Sequence, residues 1–399
     1  MDVVAGGGVT SAKGFRAGAV ASGVKKTGDL DLTIIASDRP AAAAGVFTRN
    51  KVRAAPVDLT ERTLQRLVAR GVIANSGNAN CCTGEQGLVD AREMACLAAE
   101  KIGATPDEIV VASTGVIGVH LPMDRIRAGV PRIELTRDGG PDAARGIMTT
   151  DTFPKERAVS IEIDGKTIVV GGTSKGSGMI HPNMATMLAF VTTDAAVDPS
   201  FLRAAVKEAA DVSFNMISVD GDTSTNDTFV VLANGAAENP IIRPGTSAAT
   251  RFQDALNAVA IDLAKAIARD GEGATKLIEV LVEGAISAVD ARTAARAVVS
   301  SSLFKAAVYG ADPNWGRILC ALGYSGAEVE QSRADIFIGD VCLMRAGDIQ
   351  PFDRQAAVAQ MAGPDVLVRA NLHLGPASAR AWGCDLTEKY VDINGRYTT

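Results

Sequence analysis

Aromatic residues are scarce in this chain. Phe, Trp and Tyr together make up 4% of its 399 residues, so the core has to be packed from Val, Ile, Leu and Ala. Histidine is scarcer still, with only His120, His181 and His373. None stands in an order resembling a Ser-His-Asp triad, and each reads better as a buried or turn histidine. The six cysteines form no CxxC pair, and adjacent Cys81-Cys82 is poor spacing for a metal. No metal site is therefore expected, and reduced, buried thiols suit a cytoplasmic protein. A net charge of −6 without a basic run argues against nucleic acid as a main partner. No apolar run approaches the roughly 20 residues that cross a bilayer, so no membrane association is expected. The opening MDVVAGGGVTSAKGF lacks the basic leader and apolar centre of a secretory signal.

What is present is glycine, 40 residues of it, and 47% apolar against 22% charged residues, an ordinary globular balance. Strand-like and helix-like pieces alternate. Leu30–Ala36, Val72–Asn75, Ile109–Ser113, Phe229–Leu232, Leu277–Val282, Asp335–Ile338 and Val366–Leu374 read as extended. Asp164-Gly165 between two apolar runs predicts a tight hairpin over Val159–Val170. Leu88–Ile102 has helical spacing ahead of Gly103, and a long helix is predicted over Ser247–Ala268. Asp198-Pro199 reads as the N-cap and first turn of a helix reaching about Val212. Gly171–Pro182, rich in Gly and Ser, reads as a loop. No linker or repeat separates independent domains. The fold class is α/β (α+β), a layered αββα-type arrangement of mixed, largely antiparallel sheets with helices outside, in two intimately joined lobes.

The stretch Lys175–Phe190, KGSGMIHPNMATMLAF, passes from a glycine-rich loop through a proline turn into an apolar run that Ala185-Thr186 opens. A threonine hydroxyl inside a chain has no built-in base. Cleavage before Thr186 would free an α-amine of pKa about 8, which can deprotonate the hydroxyl beside it. The residues alone leave that reading open beside a plain turn entering a buried strand. Thr114-Gly115, at the end of a strand-like run, could present a hydroxyl and an N–H together as an oxyanion hole requires. Such pairs are more often structural. Lys175 and Glu272 lie among glycines that permit close backbone approach to a ligand, though surface charges are the usual alternative. Asp220–Asp227, DGDTSTND, lacks the glutamate of a calcium loop. It reads as a loop held by side-chain-to-backbone hydrogen bonds. Asn394–Thr399 would ordinarily be a frayed end.

Taken in order, the motifs resemble the ornithine acetyltransferase family, the bifunctional glutamate N-acetyltransferases of the cyclic arginine pathway. The resemblance runs essentially end to end through FTRN at Phe47–Asn50, NSGNAN at Asn75–Asn80, STGVIG at Ser113–Gly118 and TTDTFPK at Thr149–Lys155. It continues through Lys175–Leu188, Asp220–Asp227, ARDGEGATK at Ala268–Lys276, DPNWGRI at Asp312–Ile318 and Tyr390–Thr399. The resemblance implies self-cleavage between Ala185 and Thr186 into an α chain of 1–185 and a β chain of 186–399. Thr186 would be the acetyl-accepting nucleophile, with Thr114 and Gly115 as oxyanion hole. Thr149, Lys175, Thr186, Glu272, Asn394 and Thr399 match substrate-contacting positions, and a one-residue slip would exchange Thr149 for Thr150. Ping-pong transfer from N2-acetylornithine to glutamate follows, with no cofactor; the motifs are shared by members that use acetyl-CoA as a further donor and members that do not. Two α and two β chains are the expected assembly. The rival is a self-cleaving amidohydrolase or aminopeptidase of similar fold, in which water replaces the acceptor amine.

Overall fold

The computed structural model describes residues 1–181 and 187–396. Its strands are β1 (Asp2–Val3), β2 (Phe15–Val20), β3 (Leu32–Phe47), β4 (Val68–Asn78), β5 (Ile109–Val116), β6 (Lys155–Ile163), β7 (Lys166–Lys175), β8 (Leu188–Thr193), β9 (Ile217–Ser218) and β10 (Thr228–Ala233), followed by β11 (Leu277–Ala285), β12 (Asp335–Ile338), β13 (Val341–Arg345), β14 (Asp348–Ile349), β15 (Asp365–Asn371) and β16 (Ala377–Cys384). One sheet has the order β1-β6-β7-β8-β10-β3-β4-β5, with β2 beside β3, and the other runs β14-β13-β12-β15-β11-β16-β9. Among the named strands of the described residues, β4–β5, β8–β10, β11–β15 and β9–β16 pair in parallel and the rest antiparallel. Sheets that are mixed and largely antiparallel are thus what the sequence predicts.

Local chemistry accounts for most element boundaries. At the β6–β7 hairpin both turn residues, Asp164 (φ 50°) and Gly165 (φ 73°), have positive φ, as a primed turn demands. Asp198 caps the helix Pro199–Val212 by accepting from the Ser200 and Phe201 amides. The helix Ser247–Arg269 buries Phe252, Leu256, Val259, Leu263 and Ile267, a 3.6-residue stripe. Those side chains share one core with Ala189, Val191, Phe229 and Val231 of the first sheet and Ile278, Val280 and Val282 of the second. Burying each large aliphatic side chain there stabilises by about 1.5–3 kcal/mol.

Three expectations need correction. β3 does not stop at Ala36 but continues to Phe47, past an irregularity between Ala36 and Ala41 that houses Pro40, where a missing N–H does no harm. Gly171–Lys175 is strand, not loop. A Cβ on Gly171 would lie 2.2 Å from the Gly8 carbonyl oxygen and one on Gly172 2.7 Å from Val191 Cγ2, so these glycines serve close packing. All six thiols are free, yet only Cys81 and Cys384 are buried, while Cys82, Cys96 and Cys320 are exposed. No helix among the described residues is long and apolar enough to cross a membrane.

Candidate active site

Strand β5 ends at the site. Thr114 and Gly115 stand where β4 and β5 close on each other, with Gly77 opposite Gly115. Gly115 has φ 134°, and a Cβ on it would fall 2.3 Å from the Gly77 carbonyl carbon. No side chain fits, so the glycine is required by backbone approach. Lys175 Nζ, from the end of β7, donates to Thr114 Oγ1 at 3.4 Å. An ammonium has no acceptor, so the Thr114 hydroxyl keeps its own proton to donate.

Beneath that lysine lies a buried ion cluster. Asp151 accepts from Lys155 Nζ at 2.7 Å, from the Gly176 amide at 2.7 Å and from the Thr149 amide at 2.9 Å. Lys175 Nζ stands 3.9 Å away. Lys155 also reaches Asp270 at 2.6 Å. Burial alone would raise the Asp151 carboxyl, but Lys175, Lys155 and the amides outweigh it and hold the group at about 2. Burial pulls Lys175 below the usual ammonium range, against the opposing pull of Asp151. Two aspartates thus face two lysines, all four buried and Lys175 alone reaching the pocket.

The far wall comes from the second half of the chain. The Glu272 amide donates to the Ser177 carbonyl at 2.9 Å. Its carboxylate lies where a Gly178 side chain would be, 2.5 Å from that Cβ position. Asn394 Nδ2 donates to Glu272 Oε2 at 2.8 Å. Asn394 sits on the helix Glu388–Arg396, so this part of the C-terminal stretch is ordered structure. A pocket of about 160 Å³ joins Thr114, Gly115, Thr149, Thr150, Lys175, Glu272 and Asn394, with Met187 and Leu188 on its wall. Both Thr149 and Thr150 face it. Ala185, Thr186 and Thr399 lie outside the described residues.

Sequence reasoning missed several of the residues that build this site. Asp151, Lys155 and Asp270 sat inside quoted motifs without a role, because their partners lie as far as 115 residues apart. Asp227, from DGDTSTND, lines the pocket at 1% exposure. Neither of its carboxylate oxygens has a hydrogen-bond partner among the described residues. The Thr48 hydroxyl near it is already given to the Ser224 carbonyl at 2.7 Å. Burial pushes the Asp227 carboxyl well above the usual range, against the Met187 amide and Lys175. The same motif laces the site together: Asn226 Nδ2 donates to the Ala79 and Ser113 carbonyls at 2.6 and 2.8 Å, and Asp220 accepts from the Met179 and Ile180 amides. His120 and His373 are exposed, and His181 is half-buried.

A two-sheet α/β protein whose pocket sets a hydroxyl, a buried lysine and a carboxylate around one small space suits acyl transfer at an amine. The model of the ArgJ family matches residues 16–399. The "arginine biosynthesis bifunctional protein ArgJ" of Symbiobacterium thermophilum is 58% identical over 98% of this chain and 99% of its own. Its namesake from Dehalococcoides mccartyi is 50% identical over 100% and 99%. A solved chain of the Bacillus halodurans protein with that name is 49% identical, with a TM-score of 0.51. It covers 52% of this chain and 98% of its own length. The class is therefore an acetyltransferase of arginine biosynthesis. Within that class, the chain belongs to the ArgJ family.

Proposed function

We propose that this chain cuts itself between Ala185 and Thr186, and that Thr186 then carries an acetyl group from N2-acetylornithine to glutamate. The observation that carries the reading is the convergence of Thr114, Gly115, Lys175, Glu272 and Asn394 on the pocket whose wall includes Met187 and Leu188, the residues that follow Thr186. The Bacillus halodurans chain, matched over nearly its whole length, spans about half of this one, which suits a protein solved as two pieces.

In the cleavage step the Thr186 hydroxyl attacks the Ala185 carbonyl and the C–N bond breaks, leaving an ester that water hydrolyses. The freed Thr186 amine then takes the hydroxyl proton, directly or through a water. Attack on the acetyl carbonyl of acetylornithine forms an acetyl ester, and the ornithine nitrogen leaves with a proton. Glutamate's amine takes the acetyl group in the second half-reaction, restoring the hydroxyl. The Thr114 hydroxyl and Gly115 N–H receive the oxyanion in both halves, each such donor contributing about 3–4 kcal/mol. Lys175, with N–H groups left over from Thr114, meets the substrate α-carboxylate. Glu272, anchored by Asn394 through one oxygen, offers the other to the ornithine ammonium. Thr149 or Thr150 and Thr399 complete the contacts.

Acetyl-CoA serves as a second donor to the same hydroxyl. The mature protein is an assembly of two α and two β chains in the cytoplasm, where its free thiols persist. The decisive variant is Thr186→Ala. It should give one uncut chain without acetyl transfer, while the natural protein gives two, the second starting Thr-Met-Leu-Ala. A cut or active variant refutes the reading. Release of free acetate from acetylornithine, with no transfer to added glutamate, would favour the hydrolase class instead.

A further inference from the structure

A second cleft, of about 480 Å³, adjoins the first along the DGDTSTND segment: Thr223 lines it, while the next residue, Ser224, lines the active-site pocket. Arg292 and Arg296 reach it from successive turns of the helix Ala288–Ser300, and Arg49 from the chain just after β3. Its one lining carboxylate, Asp211, is engaged by Lys207 and by Asn215 Nδ2 at 2.9 Å. Among the described residues none of the three arginines has a carboxylate within ion-pair distance. Arg296 Nε is buried and has no hydrogen-bond partner among the described residues. Arg296 Nη2 donates to His181 Nε2 at 3.1 Å. Burial, with Arg296 beside it, holds that imidazole at about 4, so it is neutral and brings no counter-charge. Like charges one helix turn apart repel, and a partly buried guanidinium without a counter-ion is costly. The arrangement is one that an anion would complete.

We propose that this cleft binds phosphate groups, and that they belong to a coenzyme A thioester delivering its acetyl end to the neighbouring pocket. The inference rests on the acetyl-transfer reading above. Three guanidinium forks exceed what one substrate carboxylate uses, whereas they match the several doubly acceptor-rich phosphates of such a donor. The substrate carboxylate already has Lys175 in the first pocket. A free phosphate or pyrophosphate acting as effector would share the same chemistry, so the experiment separates the two sources.

Calorimetry on the mature enzyme would measure binding of coenzyme A, of pyrophosphate and of inorganic phosphate, to the natural protein and to Arg292→Ala and Arg296→Ala. Arg292 makes no side-chain bond in the described structure, so its removal spares the fold. Coenzyme A should bind at least tenfold more weakly to each variant, and pyrophosphate should compete with it. Acetylornithine–glutamate exchange should stay within twofold of the natural rate. Pyrophosphate or phosphate binding that the variants lose, without coenzyme A binding, assigns the cleft to a free phosphate and removes the thioester. Binding of all three probes that neither substitution alters, or no binding at all, overturns the proposal. Loss of exchange in the natural protein would instead sink the catalytic reading, independently of these affinities.

Discussion

The two clefts handle charge in opposite ways. In the first, Lys155 and Lys175 are held over Asp151 and Asp270, and the side chains of Lys155 and Asp151 are wholly sealed from water. In the second, among the described residues, none of the three arginines forms an ion pair, and the lining carboxylate Asp211 is taken by Lys207 and Asn215. An internally countered cluster is stiff and fixes its members, which is what a site needs if it is to aim donors at a developing oxyanion. An uncountered one leaves its charge for a ligand. The difference explains why Lys175 can be buried without leaving the ammonium's charge stranded, and why the Arg296 guanidinium, depressed by burial, has nothing comparable. Breaking the internal counter-ions should therefore be the costliest change to the first cleft.

Asp151→Ala tests that directly. It leaves Lys175 without its carboxylate and Lys155 with Asp270 alone, and removing one partner of such a buried set typically costs about 3–5 kcal/mol. Denaturant unfolding at neutral pH should show a loss of that size, and a loss below about 1 kcal/mol would mean the cluster is not the anchor described. The natural protein should show the same dependence on acidification. The carboxyl lies at about 2 when folded, below its ordinary value of 3.8. Its contribution is present above pH 4 and fades as pH falls toward 2.

Next in size comes the hydroxyl that Lys175 leaves free to donate. Thr114→Val keeps the shape and removes the proton, so kcat should fall by roughly 10²–10³ with the fold intact. An unchanged kcat would remove Thr114 from the oxyanion hole. Asn394→Ala is milder. It deletes one hydrogen bond to Glu272, worth about 0.5–1.5 kcal/mol, and should raise the KM for acetylornithine several-fold while moving kcat little.

How much of this was legible in the sequence depends on what kind of fact each residue carries. Thr114, Gly115, Lys175, Glu272 and Asn394 were marked by their motifs, and the pocket does gather them. Asp198, the Asp164-Gly165 turn and the helix Ser247–Arg269 were readable because capping, primed turns and 3.6-residue stripes are local properties. Gly171–Lys175 was misread because a glycine needed for packing against Gly8 looks the same, in one dimension, as a glycine needed for a loop. Arg292 and Arg296 carried no signal, since two arginines four apart on a helix resemble any solvated face. Their lack of an acidic partner among the described residues is a property of three dimensions. The same holds for Asp151 and Asp270, whose shared lysine makes sense only once β6 lies under the segment after the helix Ser247–Arg269.

Asp227 gives the smallest and most discriminating test. It is a carboxyl with no hydrogen-bond partner among the described residues, buried beside Lys175, and burial pushes its pKa up, so the folded protein holds the proton to higher pH than the unfolded chain does. Below about pH 4 both states are protonated and the group is neutral to stability. As pH rises from there, the unfolded chain gains by ionising while the folded one resists, so the natural protein loses ground with every step until the raised pKa is passed. Asp227→Asn cannot ionise in either state. Its melting temperature relative to the natural protein should therefore climb between pH 4 and 7, which thermal unfolding across that range would read. A difference that stays flat would mean the carboxylate is charged in the folded protein and has found a counter-ion. In that case the first cleft would count one more paired acid, and Lys175 would be the cation that pairs with it.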